Sequence, residues 1–157
     1  MSTPSRQCVR QLTLERCFEF VAPCIPLDTL QHLLPIEPGG VRREGDEQSQ
    51  LLHFAPRRWL ILAPAEPVHR YLADLDRHGG GALVDVEGKW QWFQLEGPEA
   101  VDILGHTVNL EQLLFKRACG ATVLFDCPAI LGRHGERFDC WVHSSYAESF
   151  RQAVAQL

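Results

Sequence analysis

From Ala82 to Cys127 the chain is a series of short apolar runs cut by single turns, and this patterning constrains the fold more than any other feature. Ala82 to Val86 reads as an apolar strand, Glu87-Gly88 as a two-residue turn, and Lys89 to Leu95 as a second strand. The second strand carries Trp90 and Trp92 on one face and Phe93 and Leu95 on the other, so it is expected to be covered on both sides. Gly97-Pro98 then opens a short helix, where the fixed φ and missing N–H of proline are tolerated. Val101 and Leu104 are its expected inward residues, and Gly105 stops it. A polar loop follows, and the small-residue run Cys119-Gly120-Ala121-Thr122 leads into another strand.

The flanking segments extend the pattern. Leu51 to Phe54 and Arg58 to Leu62 read as strands rich in branched and aromatic residues. Pro67 marks a helix start, and Val68, Tyr71, Leu72 and Leu75 fall at the spacing of one buried helical face. Gly79-Gly80-Gly81 ends that helix, which makes a strand–helix–strand unit. Downstream, Thr122 to Phe125, Pro128 to Leu131 and Phe138 to Val142, with a turn at His134-Gly135, predict an antiparallel meander. Ser145-x-x-Glu148 reads as a capping box opening a last helix with Ala147, Phe150, Val154 and Leu157 on its core face. The expected class is α+β, with helices packed on a mostly antiparallel sheet.

The N-terminal part is less regular. Leu12 to Phe20 predicts a strand or extended arm, and prolines at 23, 26, 35 and 38 leave room for about two helical turns between Leu27 and Leu34. Gly39 to Gln50 is charged and without apolar periodicity, so an exposed loop is expected there. Residues 1–50 are therefore read as an irregular extension, frayed or laid on a partner, and residues 51–157 as the α+β domain.

Composition narrows the function classes. The chain has 157 residues and a formal net charge of −5, which argues against nucleic acid, normally met by a basic face. No apolar run approaches the roughly 18 residues needed to cross a bilayer, and the N-terminus, MSTPSRQCVRQLTLER, is polar, so a cytoplasmic protein is expected. Six cysteines, at 8, 17, 24, 119, 127 and 140, include no C-x-x-C pair, and the seven histidines are scattered. No metal site is expected, and the thiols are read as reduced, mostly buried packing groups.

The order of the pieces resembles a known family. Asp85-Val86-Glu87, Trp90, Gly97-Pro98-Glu99-Ala100, Cys119-Gly120-Ala121-Thr122 and Ser145-Tyr146-Ala147-Glu148 resemble the folate-binding domain of the glycine cleavage T-protein. They are more similar still to the gamma subunit of heterotetrameric sarcosine oxidase, over about Arg57 to Leu157. The resemblance implies a T-protein-like fold with ferredoxin-like units. It further implies a non-catalytic accessory subunit packed against an alpha-like subunit, with beta and delta chains in the complex. The reaction served would be oxidative demethylation of sarcosine or a related N-methyl amine. FAD, FMN, NAD and tetrahydrofolate would be held by the partner subunits and none by this chain.

In Thr107-Val108-Asn109-Leu110, the family resemblance places Asn109 where T-proteins carry an aspartate at the methylene-transfer site. An amide takes no proton at neutral pH, so Asn109 is expected to serve as a turn residue, and Glu111 is offset by two positions. Cys119 lies near Lys116 and Arg117, whose charges would activate a thiol only if they faced it; a packed Cys119 is expected. Ser144 and Ser145 sit beside His143 but are not read as a triad. Gly97-Pro98-Glu99-Ala100 reads as helix initiation rather than an anion site. The catalytic set is thus expected to be empty, and no cofactor-binding residue is assigned. Trp90 and Trp92 are the candidate interface residues, should their face be exposed. The alternative is a stand-alone tetrahydrofolate or small-ligand-binding protein, with a pocket lined by Trp90 or Trp92 and a carboxylate. A gamma-like chain of another multi-subunit amine or imino-acid dehydrogenase remains a third reading.

Overall fold

The computed structural model describes residues 8–45 and 48–157. The elements run β1 (Val9–Leu12), β2 (Cys17–Val21), α1 (Leu27–Leu30), β3 (Val41–Arg43), β4 (Gln50–Ala55), β5 (Arg58–Leu62), α2 (Glu66–Arg77) and β6 (Ala82–Asp85). They continue with β7 (Trp90–Glu96), α3 (Pro98–Gly105), α4 (Leu110–Leu113), β8 (Cys119–Leu124), β9 (Cys127–His134), β10 (Arg137–His143) and α5 (Ala147–Ala155). Two five-stranded sheets result, ordered β1-β7-β10-β9-β8 and β3-β4-β5-β2-β6. The α+β class with a mostly antiparallel arrangement is as expected.

The chain divides into two compact units, Leu14–Glu87 and the remainder, in which the segment up to Thr13 joins Gly88–Leu157. In the Leu14–Glu87 unit β2 pairs antiparallel with both β5 and β6. The strands β5 and β6 therefore run parallel to each other, joined by α2 in a crossover that skips the position β2 fills. This is the predicted strand–helix–strand unit, split by an inserted strand, and β4-β5-β2-β6 has the ferredoxin-like strand order. Phe20, Leu51, Trp59 and Ile61 face α2, whose Val68 and Leu72 complete that core. The ring of His53 stacks on Trp59 at 4.5 Å with planes 13° apart. Its Nδ1–H donates to the Glu37 carbonyl at 3.0 Å, and its Nε2 accepts the Arg57 N–H at 3.2 Å.

In the other unit β8, β9 and β10 form the predicted meander, extended by β7 and then β1. Phe93, Leu95, Leu131, Phe138, Cys140 and Val142 face a core closed by Ala100, Ile103 and Leu104 of α3 and Ala147, Phe150 and Val154 of α5. The β8–β9 hairpin turns through Phe125 at φ 49° and Asp126 at φ 65°. Two consecutive positive φ values make a type I′ turn, the form whose twist suits a two-residue hairpin.

Several expectations change. Residues before 51 supply β2, α1 and β3 to one unit and β1 to the other. In place of an irregular extension, the described residues 8–45 are pieces of both sheets; residues 1–7 lie outside the description. The stretch Gly39 to Gln50 holds β3, half-buried and paired with β4, while residues 46 and 47 are likewise outside the description. Glu87-Gly88 links strands of different sheets instead of closing a hairpin, because β6 pairs with β2 and β7 with β1 and β10. On α3 the buried residues are Ala100, Ile103 and Leu104, and Val101 is exposed; Leu157 is exposed as well. The capping box does not form: Tyr146 is the N-cap of α5 and makes no side-chain cap.

Candidate functional site

Asn109 is exposed and its Oδ1 accepts the Gln112 N–H at 3.1 Å, which makes it the N-cap of α4. Asparagine suits this role because its oxygen replaces one of the donors' missing intrahelical partners. The neighbouring Thr107 Oγ1 accepts the Phe125 N–H at 2.6 Å. Thr107 and Asn109 thus hold the loop between α3 and β8 in shape through neutral groups, as the turn reading of Asn109 expects.

Cys119 is fully buried, with Lys116 and Arg117 exposed in the turn before it. Cys8, Cys127 and Cys140 are buried too, and burial pushes all three thiols up, Cys140 furthest, with Asp139 adding to its shift. A thiol shifted in that direction forms less thiolate and is a poorer nucleophile. Cys24 is the exposed cysteine among the described residues.

His143 and Ser145 do come together. His143 Nδ1 lies 2.9 Å from Ser145 Oγ, within a single 3-10 turn, Ser144–Tyr146, that precedes α5. The imidazole also accepts the Ser145 N–H at 3.4 Å. His143 therefore acts as the cap, and the serine hydroxyl drawn on for the capping box is directed to it. Ser144 Oγ instead donates to the Gly88 carbonyl at 2.5 Å. The pair is exposed, and local capping accounts for its geometry.

Trp90 and Trp92 share a face of β7, as alternation predicts, but that face is buried: they are 9% and 2% exposed. The exposure on which an aromatic docking patch depends is not met. Trp92 stacks on Trp141 at 5.9 Å, and its Nε1–H donates to Asp139 Oδ1 at 2.8 Å. Asp139 is completely buried, with Arg137 Nε 3.9 Å from Oδ2. A carboxylate inside a sheet needs such partners to offset its lost hydration. The signal in the sequence was one acid inside the apolar run Phe138 to Val142.

The concavity in the Leu14–Glu87 unit was not foreseen. An open groove of about 360 Å³ lies between α2 and the β2–β6 side of the sheet, lined by Phe18, His69, Ala73, Asp76, Arg77, Leu83 and Asp85. His69, Ala73, Asp76 and Arg77 lie on one face of α2 by helical spacing. His69 sits 5.0 Å from the Phe18 ring, and Arg16 lies over that ring. Asp76 Oδ2 accepts the Leu83 N–H at 3.2 Å, and Asp85 Oδ1 accepts the Glu87 N–H at 2.9 Å. An aromatic wall with both signs of charge suits a small amphipathic ligand, and its lining holds no serine, threonine or cysteine nucleophile. Among the described residues no group of three or more His, Cys, Asp or Glu is placed to hold a metal ion. No helix among them is long and apolar enough to cross a membrane.

Comparison with known proteins bears on the fold. No family model matches the sequence, and no curated protein matches it. Among solved structures the chain is similar to one chain of heterotetrameric sarcosine oxidase from Corynebacterium sp. U-96, solved in complex with pyrrole 2-carboxylate. That match has a TM-score of 0.75 and 19% identity, and it covers 94% of this chain and 81% of the other. It is also similar to the glycine cleavage aminomethyltransferase T of Bartonella henselae, with a TM-score of 0.62 and 16% identity, covering 93% of this chain but 44% of that one. The fold is the T-protein-like α+β fold. The chain spans less than half the aminomethyltransferase.

Proposed function

We propose that the chain is a non-catalytic, gamma-type accessory subunit of a multi-subunit oxidase acting on sarcosine or a related N-methyl amine. One observation carries the reading: the likeness to a sarcosine oxidase chain covers 94% of this chain and 81% of the other. In the aminomethyltransferase, by contrast, the same fold is one part of a longer enzyme. Asn109 supports it, since a neutral helix cap stands where the T-protein resemblance requires an acid. On this reading an alpha-like subunit is the direct partner, with beta and delta chains in the assembly. The partner subunits hold FAD, FMN, NAD and tetrahydrofolate, the protein works in the cytoplasm, and this chain supplies surface.

The test is a tagged pull-down from the native host, with mass spectrometry and an absorbance spectrum of the eluate. Co-elution of a larger, flavin-coloured partner is the expected result. A colourless protein with no larger partner refutes the accessory role.

The second reading, a stand-alone binder of tetrahydrofolate or another small ligand, is favoured by the groove beside α2. It differs from the pocket expected from the sequence, since it contains neither Trp90 nor Trp92. Titration with tetrahydrofolate, read through ligand-induced thermal stabilisation and its loss in Phe18→Ala, tests it.

A further inference from the structure

The charges around the groove beside α2 are not equally engaged. Arg77 is ion-paired with Asp74 at 3.3 Å, and Arg16, beside Phe18, donates to the Pro64 carbonyl at 3.4 Å. The two carboxylates that line the groove each commit one oxygen to a backbone amide, Asp76 Oδ2 to Leu83 and Asp85 Oδ1 to Glu87. Their other oxygens, Asp76 Oδ1 and Asp85 Oδ2, take no hydrogen bond from the described residues. The helix adds to the imbalance. Asp74 and Asp76 both stand in the last turn of α2, where the carbonyl end of the helix already favours positive charge. Arg77, the basic residue of that turn, offsets one of the two.

The walls suit the body of a cation as well as its charge. Phe18 of β2 stands directly opposite Asp85 of β6, and side chains opposed across two strands share a face, so ring and carboxylate are neighbours. An aromatic face attracts a cation within about 6 Å. The Phe18 ring already does so, since the Arg16 guanidinium carbon lies 5.8 Å from its centroid. His69 packs against the same ring at 5.0 Å. Ala73 follows one turn along α2, and Asp76 and Arg77 a turn beyond it. The short Ala73 side chain thus leaves a gap between the aromatic pair and the Asp76 carboxylate. The volume of about 360 Å³ is at the low end for ligand sites, which fits one ring and an amine.

We propose that this groove binds a small organic cation, a protonated amine with an aromatic or apolar body. Its ammonium lies between Asp76 and Asp85, and its body rests against Phe18 over Ala73. A cation site here rests on the small-ligand reading of the groove, and it stands whether the chain works alone or as a subunit.

Titration of the full chain with benzylammonium, followed by two-dimensional NMR, tests it. The expected result is a saturable shift of the Leu83 and Glu87 amide resonances, which are bonded to the two carboxylates. Benzyl alcohol and benzoate, the neutral and anionic analogues, should bind about tenfold more weakly or worse. Asp85→Asn, at an exposed position, should weaken benzylammonium about tenfold. Ala73→Leu should abolish binding by filling the gap, and both variants should keep the far-UV circular dichroism of the wild type. Absence of a saturable shift, benzoate binding as tight as benzylammonium, or an Asp85→Asn protein that binds unchanged overturns the proposal. Tetrahydrofolate in the same assay separates two failures. If it shifts these amides and benzylammonium does not, the cation site alone falls; if neither does, the small-ligand reading falls with it. The accessory-subunit reading fails separately, on a pull-down without a flavin-coloured partner.

Discussion

Replacing Trp92 with phenylalanine tests whether the buried Asp139 depends on the indole that reaches it. Trp92 and Trp59 form a matched pair: both are essentially fully buried, and both donate Nε1–H over 2.8 Å. Their acceptors differ, a carboxylate for Trp92 and the Pro35 carbonyl for Trp59. Trp→Phe removes similar ring volume in each, a packing loss of about 1–2 kcal/mol. A hydrogen bond to a charged group contributes about 2 kcal/mol and one to a neutral carbonyl about 1 kcal/mol. Trp92→Phe should therefore cost about 3–4 kcal/mol and Trp59→Phe about 2–3 kcal/mol, a gap of about fivefold in the folding equilibrium. Urea unfolding followed by far-UV circular dichroism measures both without relying on the indole signal being altered. Asp139→Asn keeps an acceptor but removes the charge, so in that background the cost of Trp92→Phe should fall to that of Trp59→Phe. If Trp59→Phe costs as much as Trp92→Phe in the wild-type background, the carboxylate draws no special support from Trp92, and the reasoning about Asp139 is wrong.

Three further outcomes are expected. Burial holds the His53 pKa below its ordinary value, so the unfolded chain binds more protons in the window between that folded value and about 6.5. His53 thus contributes stability that is present above about pH 6.5 and lost as pH falls through the folded pKa; the pH dependence of the urea midpoint should flatten in His53→Asn, and an unchanged slope refutes the assignment. Gly81→Ala would place a Cβ 2.6 Å from Cζ of the buried Phe20 and 3.0 Å from the Val21 carbonyl, at a cost of about 1–3 kcal/mol. Gly88→Ala meets no atom within 4 Å but requires φ of 83°, and should cost only about 1 kcal/mol in backbone strain; equal melting temperatures for the two variants would contradict the steric account. In native labelling with iodoacetamide read by mass spectrometry, Cys24 should react well before Cys8, Cys127 and Cys140, and early modification of Cys140 would contradict its burial.

Elements whose signal is local were legible in the sequence. The α2 face at Val68 and Leu72, the helix start at Gly97-Pro98 and the β8–β9–β10 meander follow from periodicities and turn residues within a few positions of one another. Pairing across long separations was not. β2 finds β5 some forty residues on, and β1 pairs with β7 more than eighty residues on, and neither short strand announces its partner. The Phe125-Asp126 turn was invisible for another reason: a type I′ turn normally advertises itself with asparagine or glycine, and here a phenylalanine takes positive φ. The capping box failed because a second acceptor was nearer. Ser145 could satisfy a helix N–H or approach His143, and the imidazole two residues back, at the N-cap of the 3-10 turn, claimed it.

The same division between local and distant signals separates the residues that look chemical from those that form a concavity. Asn109, Cys119 and the His143–Ser145 pair attract attention because they carry reactive atom types, yet each is committed locally, to a cap, a core or a 3-10 turn. The groove beside α2 draws on Phe18 of β2, four residues of α2 and two of β6. Those pieces meet only because β2 is inserted between β5 and β6, and that insertion depends on pairing the sequence does not advertise. Asp76 shows how closely groove and fold are tied: the carboxylate lining the groove is also the one that closes the outward N–H of Leu83 on the β6 edge. A ligand competing for Asp76 would expose that edge. Occupancy of the groove and closure of the β6 edge are therefore coupled through one carboxylate.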